Sequence, residues 1–236
     1  VVAADGTNSF IRQACGIGAI EQDYRQTLFV CSVQAAKASD GTAFERFSSQ
    51  GPVALLPMAD GRYGAVCGVA DAQAEAIGRL SDAAFAGYLQ SRFGWRVGKI
   101  LQVGVRSRYP IRRMLAERLT APSVFILGNA AQTIHPIGAQ GFNLGLRDVL
   151  DLARILGDSG FSDAAAARYE ASRIEDCTRT LAFSDGLARL TANDGLPLHV
   201  LRSFGLSLLG AAPVYASELV GRAMGYRVND VYEEAL

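Results

Sequence analysis

The sequence is poor in the residue types from which metal sites and disulfide frameworks are built. It contains only two histidines, His135 and His199. Four cysteines are widely spread, and none stands in a Cys-x-x-Cys pair: Cys15, Cys31, Cys67 and Cys177. This pattern lacks metal-ligand spacing and favours reduced thiols in a core. We therefore expect no metal site and a protein of the reducing cytoplasm, with all four thiols buried.

The chain also lacks an excess of either charge and any long uninterrupted apolar run. Lys plus Arg is 23 and Asp plus Glu is 23, which removes the electrostatic case for a nucleic-acid partner. The apolar stretch 196–216 is broken by Pro197 and Pro213 and argues against a transmembrane helix. No secretory leader is recognisable at the start. With 236 residues, half of them hydrophobic, the chain can form one large domain or two small ones.

Hydrophobic spacing predicts a β-rich middle between segments of mixed structure. Residues 1–6 suit a buried strand that needs a sheet to join, and 9–15 a short helix capped by Asn8 or Ser9. Strands are predicted at 28–35, 44–47, 53–57, 63–69 and 99–109, with antiparallel pairing because the turns are short. A capped helix is predicted at 81–93. From 163 the pattern is helical, and Pro197 and Pro213 divide it into three helices.

A glycine-rich segment follows an apolar stretch at 123–127 that is typical of a strand buried in a parallel sheet. A helix is predicted from about 142 to 156. A helix N-terminus behind a flexible loop presents free N–H groups, which suits a phosphate or a delocalised anion. From the residues alone, the loop is either such a site or a plain strand-to-helix connector. His135 likewise is either a structural histidine or a ligand contact, and Asp148 either a site residue or a hydrogen-bonding residue on the helix side.

This segment resembles the second flavin motif of the aromatic hydroxylase family of FAD monooxygenases. The matching stretches are Gly-Asn-Ala-Ala-Gln-Thr-Ile-His-Pro at 128–136, Gln-Gly-Phe-Asn-Leu-Gly at 140–145, and Asp148. Asn129, Gln132 and His135 bring it close to the ubiquinone-biosynthesis branch, the 2-octaprenyl-6-methoxyphenol hydroxylases. A second stretch, Asp5-Gly6-x-x-Ser9-x-x-Arg12, resembles the motif that in this family lies near the FAD and NAD(P)H phosphates. The tail at 183–193 is also similar to this branch.

The resemblance implies an α/β (α+β) fold. Its parts are a fragment of a doubly wound FAD/NAD(P)-binding domain, an antiparallel β-sheet substrate domain and a helical C-terminal tail. The implied boundaries are 1–20 for the end of the FAD-binding domain, 21–118 for the substrate domain, 119–158 for the return to the FAD-binding domain and 159–236 for the helical region.

The resemblance also implies the chemistry. NAD(P)H reduces FAD, the reduced flavin adds O₂ as a C4a-hydroperoxide, and a lipophilic polyprenylated phenol takes the distal oxygen. Asn129 is expected to hydrogen-bond the ribityl chain, and the helix start to stabilise negative charge on reduced flavin. No catalytic side chain and no metal are implied. The residues expected to bind cofactor are Asp5, Gly6, Arg12, Gly128, Asn129, His135, Pro136, Ala139, Gln140, Gly141, Phe142 and Asn143.

Three departures from the family pattern bear on these expectations. Asn129 stands where Asp is commoner, and Gly138-Ala139 where the branch has Ala-Gly. The Gly-x-Gly-x-x-Gly unit that opens the family is not found, so we expect a fragment of a longer enzyme. Two alternatives stay open: a flavin reductase of the same fold, and a non-catalytic scaffold of a quinone-biosynthesis complex. The apolar tail at 198–209 suits packing on its own domain or docking to a membrane surface or partner. The expected location is the cytoplasm, with a peripheral contact to the inner membrane.

Overall fold

A computed structural model describes residues 1–48, 50–136 and 140–192. The strands are β1 (Val2–Ala3), β2 (Ala19–Ala35), β3 (Phe44–Arg46), β4 (Val53–Pro57), β5 (Tyr63–Ala70), β6 (Ile100–Val103), β7 (Ser107–Ala116), β8 (Thr120–Ala121), β9 (Val124–Ile126) and β10 (Gln132–Thr133). The helices are α1 (Phe10–Ala14), α2 (Asp71–Gly78), α3 (Asp82–Phe93), α4 (Gln140–Ser159) and α5 (Asp163–Ala192), with a 3₁₀ turn at Gly128–Ala130. The mixed helix and sheet fold with an antiparallel sheet confirms the predicted class.

The chain divides into two compact units. The first includes Val1–Gln22 and Arg112–Leu190, and the second includes Asp23–Ile111. The long strands β2 and β7 each contribute residues to both units.

The first unit is built on a three-stranded sheet in the order β1-β9-β8. β1 runs parallel to β9, which confirms the parallel strand predicted at 123–127, and β8 is antiparallel. Phe125 of β9 is buried against Tyr169 of α5, whose hydroxyl donates to the Ile126 carbonyl at 3.0 Å. The opening strand is shorter and less buried than predicted, because only Ala3 is enclosed while Val2 stays exposed.

The second unit is an antiparallel sheet in the order β7-β2-β5-β4-β3, with β6 also pairing with β2. Helix α3 covers one face. Its predicted cap is confirmed, since Ser81 Oγ accepts the Ala84 N–H. Its apolar residues Phe85, Leu89 and Phe93 are buried in the core together with alternate residues of the strands. Alternate residues of β2 and of β5 therefore point into this core, as a period of two in the sequence predicts.

Two predictions in this unit were wrong in detail. The strand predicted at 99–109 is two strands, β6 and β7, because the chain bends at 104–106. There Gly104 donates to the Ser32 carbonyl at 2.8 Å, and Arg106 turns inward with its guanidinium 4.9 Å from the Phe85 ring centre. Helix α2 was missed because only Ala74 and Ile77 are buried, which leaves little helical periodicity to detect.

The expectation of four core thiols holds for three and is wrong for Cys15, which is half-buried. Burial raises the pKa of Cys31 and of Cys67 to about 11, and that of Cys177 to about 12. Because the thiolate is the reactive form, we expect iodoacetamide at pH 8 to alkylate Cys15 first. Peptide mass mapping over time measures this order. Early labelling of Cys177 in folded protein would contradict the buried packing of α5.

Within the ranges that the structure describes, no helix is long and apolar enough to cross a membrane, and no three His, Cys, Asp or Glu side chains are grouped as a metal site. The helices predicted around Pro197 and Pro213, and the apolar tail at 198–209, lie outside the described residues.

Candidate functional site

The structure joins the two motifs that the sequence separates by more than a hundred residues. The parallel pairing of β1 and β9 places the segments that follow them at the same end of the sheet. Arg12 Nη1 donates to the carbonyls of Thr7 at 3.1 Å and Ala130 at 2.7 Å. The hydroxyls of Thr7 and Thr133 share a hydrogen bond of 2.8 Å. The Asp5–Arg12 segment and the Gly128–Ala130 turn therefore lie in contact, and together they are the candidate site.

The first motif is ordered by its own polar side chains. Ser9 caps α1 by accepting the Arg12 N–H at 3.0 Å, and its hydroxyl donates to Asp5 Oδ1 at 2.5 Å. The Ile11 N–H also donates to the Asp5 carboxylate. The bond from Ser9 holds the pKa of the exposed Asp5 below its usual value, so the carboxylate stays ionised at neutral pH. Gly6 is half-buried beside it.

The Gly128–Ala130 turn presents one side chain to solvent. Gly128 has φ +59°, a left-handed conformation that favours glycine, and no atom lies within 4 Å of where a Cβ would stand. Ala130 is fully buried, whereas Asn129 between them is exposed. The backbone of the turn is thus fixed while the Asn129 amide remains available to a ligand.

Helix α4 begins beside this turn. A Cβ at Gly145 would lie 3.4 Å from the Gly128 Cα, so the helix packs closely on the turn. In its first turn Gln140 is buried, Gly141 and Asn143 are half-buried, and Phe142 is 79% exposed. The N–H groups of a first helical turn have no intrahelical acceptors and carry positive partial charge.

Asp148 of α4 is the buried centre of the site, with its side chain 1% exposed. Its carboxylate accepts from the Gly128 N–H at 2.9 Å, Gln132 Nε2 at 2.6 Å and Arg173 Nε at 2.7 Å. Burial raises the pKa of Asp148, and the Arg173 charge opposes that rise. Asp148 was predicted as either a site residue or a hydrogen-bonding helix residue. Its described contacts are with protein groups, and the one to the Gly128 N–H holds the turn.

The remaining predicted residues differ in accessibility. His135 is buried, and its carbonyl accepts from Ser184 Oγ at 3.1 Å. Pro136 next to it is exposed. Arg12 is only 4% exposed, and its described contacts are protein carbonyls. Ala139 lies outside the described residues. The role of each of these residues in binding a cofactor stays a prediction.

These features suit the flavin half of FAD. The open space at Gly128, the exposed Asn129 amide and the start of α4 together offer a polar surface and the N–H groups of a first helical turn. Such groups match a hydroxylated chain and a ring edge that becomes negative on reduction.

Comparison with known proteins agrees with this geometry. The chain is 35% identical over 212 residues to the ubiquinone hydroxylase UbiL of Rhodospirillum rubrum, covering 87% of this chain and 49% of that protein. It is 29% identical over 231 residues to the 3-demethoxyubiquinol 3-hydroxylase of Escherichia coli, covering 95% and 59%. The structure of the p-nitrophenol 4-monooxygenase PnpA of Pseudomonas putida matches with a TM-score of 0.75 at 17% identity, covering 96% of this chain and 59% of that one. That likeness shows the fold.

The chain spans about half the length of the curated relatives that it matches. Residues 1–180 match the model of one family, described as the FAD binding domain. They include both motifs, the Gly128–Ala130 turn and all of α4. The chain belongs to this FAD binding domain family.

Proposed function

We propose that the full-length protein is an FAD-dependent monooxygenase that hydroxylates a polyprenylated phenol in ubiquinone biosynthesis, with NAD(P)H as reductant and O₂ as oxidant. The observation that carries the proposal is the Gly128–Ala130 turn, which is fixed from behind by Arg12 and Asp148 and leaves Asn129 open. Membership of the FAD binding domain family and the similarity to two ubiquinone-pathway hydroxylases support it.

Different residues of the site would bind different parts of FAD. Asn129 would donate to and accept from the ribityl hydroxyls of bound FAD, and an amide can do so without adding charge. The N–H groups of Gly141, Phe142 and Asn143 would stabilise negative charge on the reduced ring. Bound FAD supplies the redox chemistry, which carries electrons from a nicotinamide to O₂ and an oxygen atom to an aromatic ring.

The sheet of the second unit offers an apolar surface of its own. Strand register places Val30 opposite Val66 and Val66 opposite Ala54. These residues alternate with those in the core under α3, so they share the other face, together with the exposed Leu56. We assign this face to the lipophilic substrate, because burying a polyprenyl chain needs apolar area. A cytoplasmic protein with peripheral contact to the inner membrane or to a quinone-biosynthesis complex fits such a substrate.

A labelled-oxygen assay of the full-length protein tests this proposal. Purified protein with FAD, NADH or NADPH, ¹⁸O₂ and a short-chain prenylated phenol should yield a phenol that carries one added ¹⁸O, detected by mass spectrometry. NAD(P)H oxidation that gives only hydrogen peroxide for every phenol tried would favour the reductase alternative. Protein that takes up no flavin would favour the scaffold.

Asn129→Leu is expected to raise the dissociation constant for FAD by up to about tenfold, because a hydrogen bond contributes about 0.5–1.5 kcal/mol net. Fluorescence titration of the apoprotein measures the change. Gln102→Leu removes another exposed amide, in β6, and should leave affinity unchanged. Equal losses in both variants would contradict the assignment of Asn129.

A further inference from the structure

A buried ion cluster lies between α4 and α5, behind the Gly128–Ala130 turn. It consists of two cations and three carboxylates: Arg147, Arg173, Asp148, Asp151 and Asp176. The side chain of Arg173 is 0% exposed, and those of Asp151 and Asp176 are 16% exposed. The two fully enclosed members, Arg173 and Asp148, are costly to bury as charges unless each has a well-placed partner.

Arg173 is the member that contacts every carboxylate of the cluster. Its Nε donates to Asp148 at 2.7 Å, its Nη1 donates to Asp151 at 3.3 Å, and its Nη2 lies 2.7 Å from Asp176. Burial works against the charge of Arg173, but Asp148 and Asp176 outweigh it and raise its pKa, so it stays protonated. Arg147 also donates to Asp176 at 2.8 Å. Two hydrogen bonds, to Asp148 and Asp151, and the ion pair with Asp176 therefore set the orientation of the Arg173 guanidinium.

This orientation is transmitted to the turn by a single carboxylate. The Asp148 oxygen that faces Gly128 and Gln132 is Oδ2, while Oδ1 accepts from Arg173. Arg173 of α5 thus fixes the plane of the Asp148 carboxylate through Oδ1, and Oδ2 is held where it accepts from the Gly128 N–H. Gln132, which donates to the same oxygen, accepts from the Cys177 thiol of α5 at 3.4 Å.

We propose that Arg173 is a positioning residue for flavin, acting through Asp148 to hold the Gly128–Ala130 turn in its binding conformation. The inference rests on the proposed binding of FAD at that turn. It adds that cofactor affinity depends on a residue of α5 that has no contact with the ligand surface, since Arg173 is wholly enclosed. The packing of α5 on α4 is thereby part of the cofactor site.

Flavin titration of Arg173→Met in the full-length protein tests the proposal. If the turn keeps its binding conformation only about a tenth of the time without Arg173, the FAD dissociation constant rises by about tenfold, and this is the change that we expect. The visible absorption band of bound flavin should also shift, which a loss of global stability alone does not cause. Arg173→Lys keeps the charge but lacks the forked donors. Its FAD dissociation constant should therefore lie between those of the unaltered protein and Arg173→Met.

Arg179→Met is the matched control. Arg179 lies on the same helix and pairs with Glu175 one turn away, but both side chains are exposed. It should bind FAD like the unaltered protein. If folded Arg173→Met binds FAD with unchanged affinity and spectrum, or if Arg179→Met loses as much affinity, the positioning role is wrong. If the unaltered protein binds no FAD, the proposed function itself fails.

If the variants do not fold, amide hydrogen exchange in the unaltered protein tests the positioning role of Arg173 instead. In the unaltered protein, FAD should slow amide exchange in 169–177 of α5 as well as in 128–132. Protection of 128–132 without any change in α5 would overturn the coupling.

Discussion

Gly145→Leu is expected to weaken FAD binding more than tenfold and to lower the stability of the apoprotein by about 1–3 kcal/mol. The reason is the close approach of α4 to the turn, where a Cβ at Gly145 would already stand 3.4 Å from the Gly128 Cα. Leucine adds further carbons beyond that Cβ, beside the Gly128 backbone, and we expect them to push the helix and the turn apart. A displaced turn carries Asn129 away from its position. Flavin titration and thermal unfolding of the apoprotein measure the two effects.

Gly157→Leu provides the comparison, because it lies in the same helix and nothing stands within 4 Å of its Cβ position. Leucine favours helix over glycine by nearly 1 kcal/mol, so this variant should be as stable as the parent or slightly more so. If both leucines behave alike, the effect comes from helix propensity and the close contact at Gly145 is unimportant.

Local signals in the sequence were sufficient for much of the fold. Ser81 begins α3, and Phe85 and Leu89 lie in its core as their spacing predicts. The apolar run at 53–57 is β4 with the same bounds. Each of these features depends on neighbours within one or two turns or on simple alternation, which is information that a short window contains.

The interior of the candidate site could not be predicted in the same way. Arg173 lies in a helix rich in charged residues, where a solvated side chain is the ordinary expectation. Its burial depends on Asp148, 25 residues earlier, and on the packing of two helices. Arg12 was predicted to bind cofactor, yet its described partners are carbonyls of Thr7 and of the distant Ala130. Such pairings arise from the tertiary fold, and no local pattern encodes them.

Arg12→Met is expected to destabilise the apoprotein by about 3 kcal/mol. Hydrogen bonds from a charged donor contribute roughly 1.5–3 kcal/mol each, and methionine removes those to the Thr7 and Ala130 carbonyls while filling a similar volume. Of the described contacts between the two motifs, the hydroxyl bond of Thr7 with Thr133 and the pairing of β1 with β9 then remain. Thermal unfolding of the full-length apoprotein measures the loss. Arg118→Met, which removes an exposed arginine of the same unit, should have little effect.

The Arg12→Met variant also distinguishes two possible roles of Arg12, which are direct binding of a cofactor phosphate and joining of the two motifs. If the guanidinium contacted a cofactor phosphate directly, Arg12→Met would weaken FAD binding and leave apoprotein stability near that of the parent. If it joins the two motifs, stability falls without any ligand, and affinity falls with it because the Gly128–Ala130 turn loses a support. Arg12 is 4% exposed and its Nη1 already donates to two carbonyls, so we expect the second outcome. Arg12→Lys should recover only part of the stability, since one ammonium cannot reproduce the geometry of the guanidinium fork.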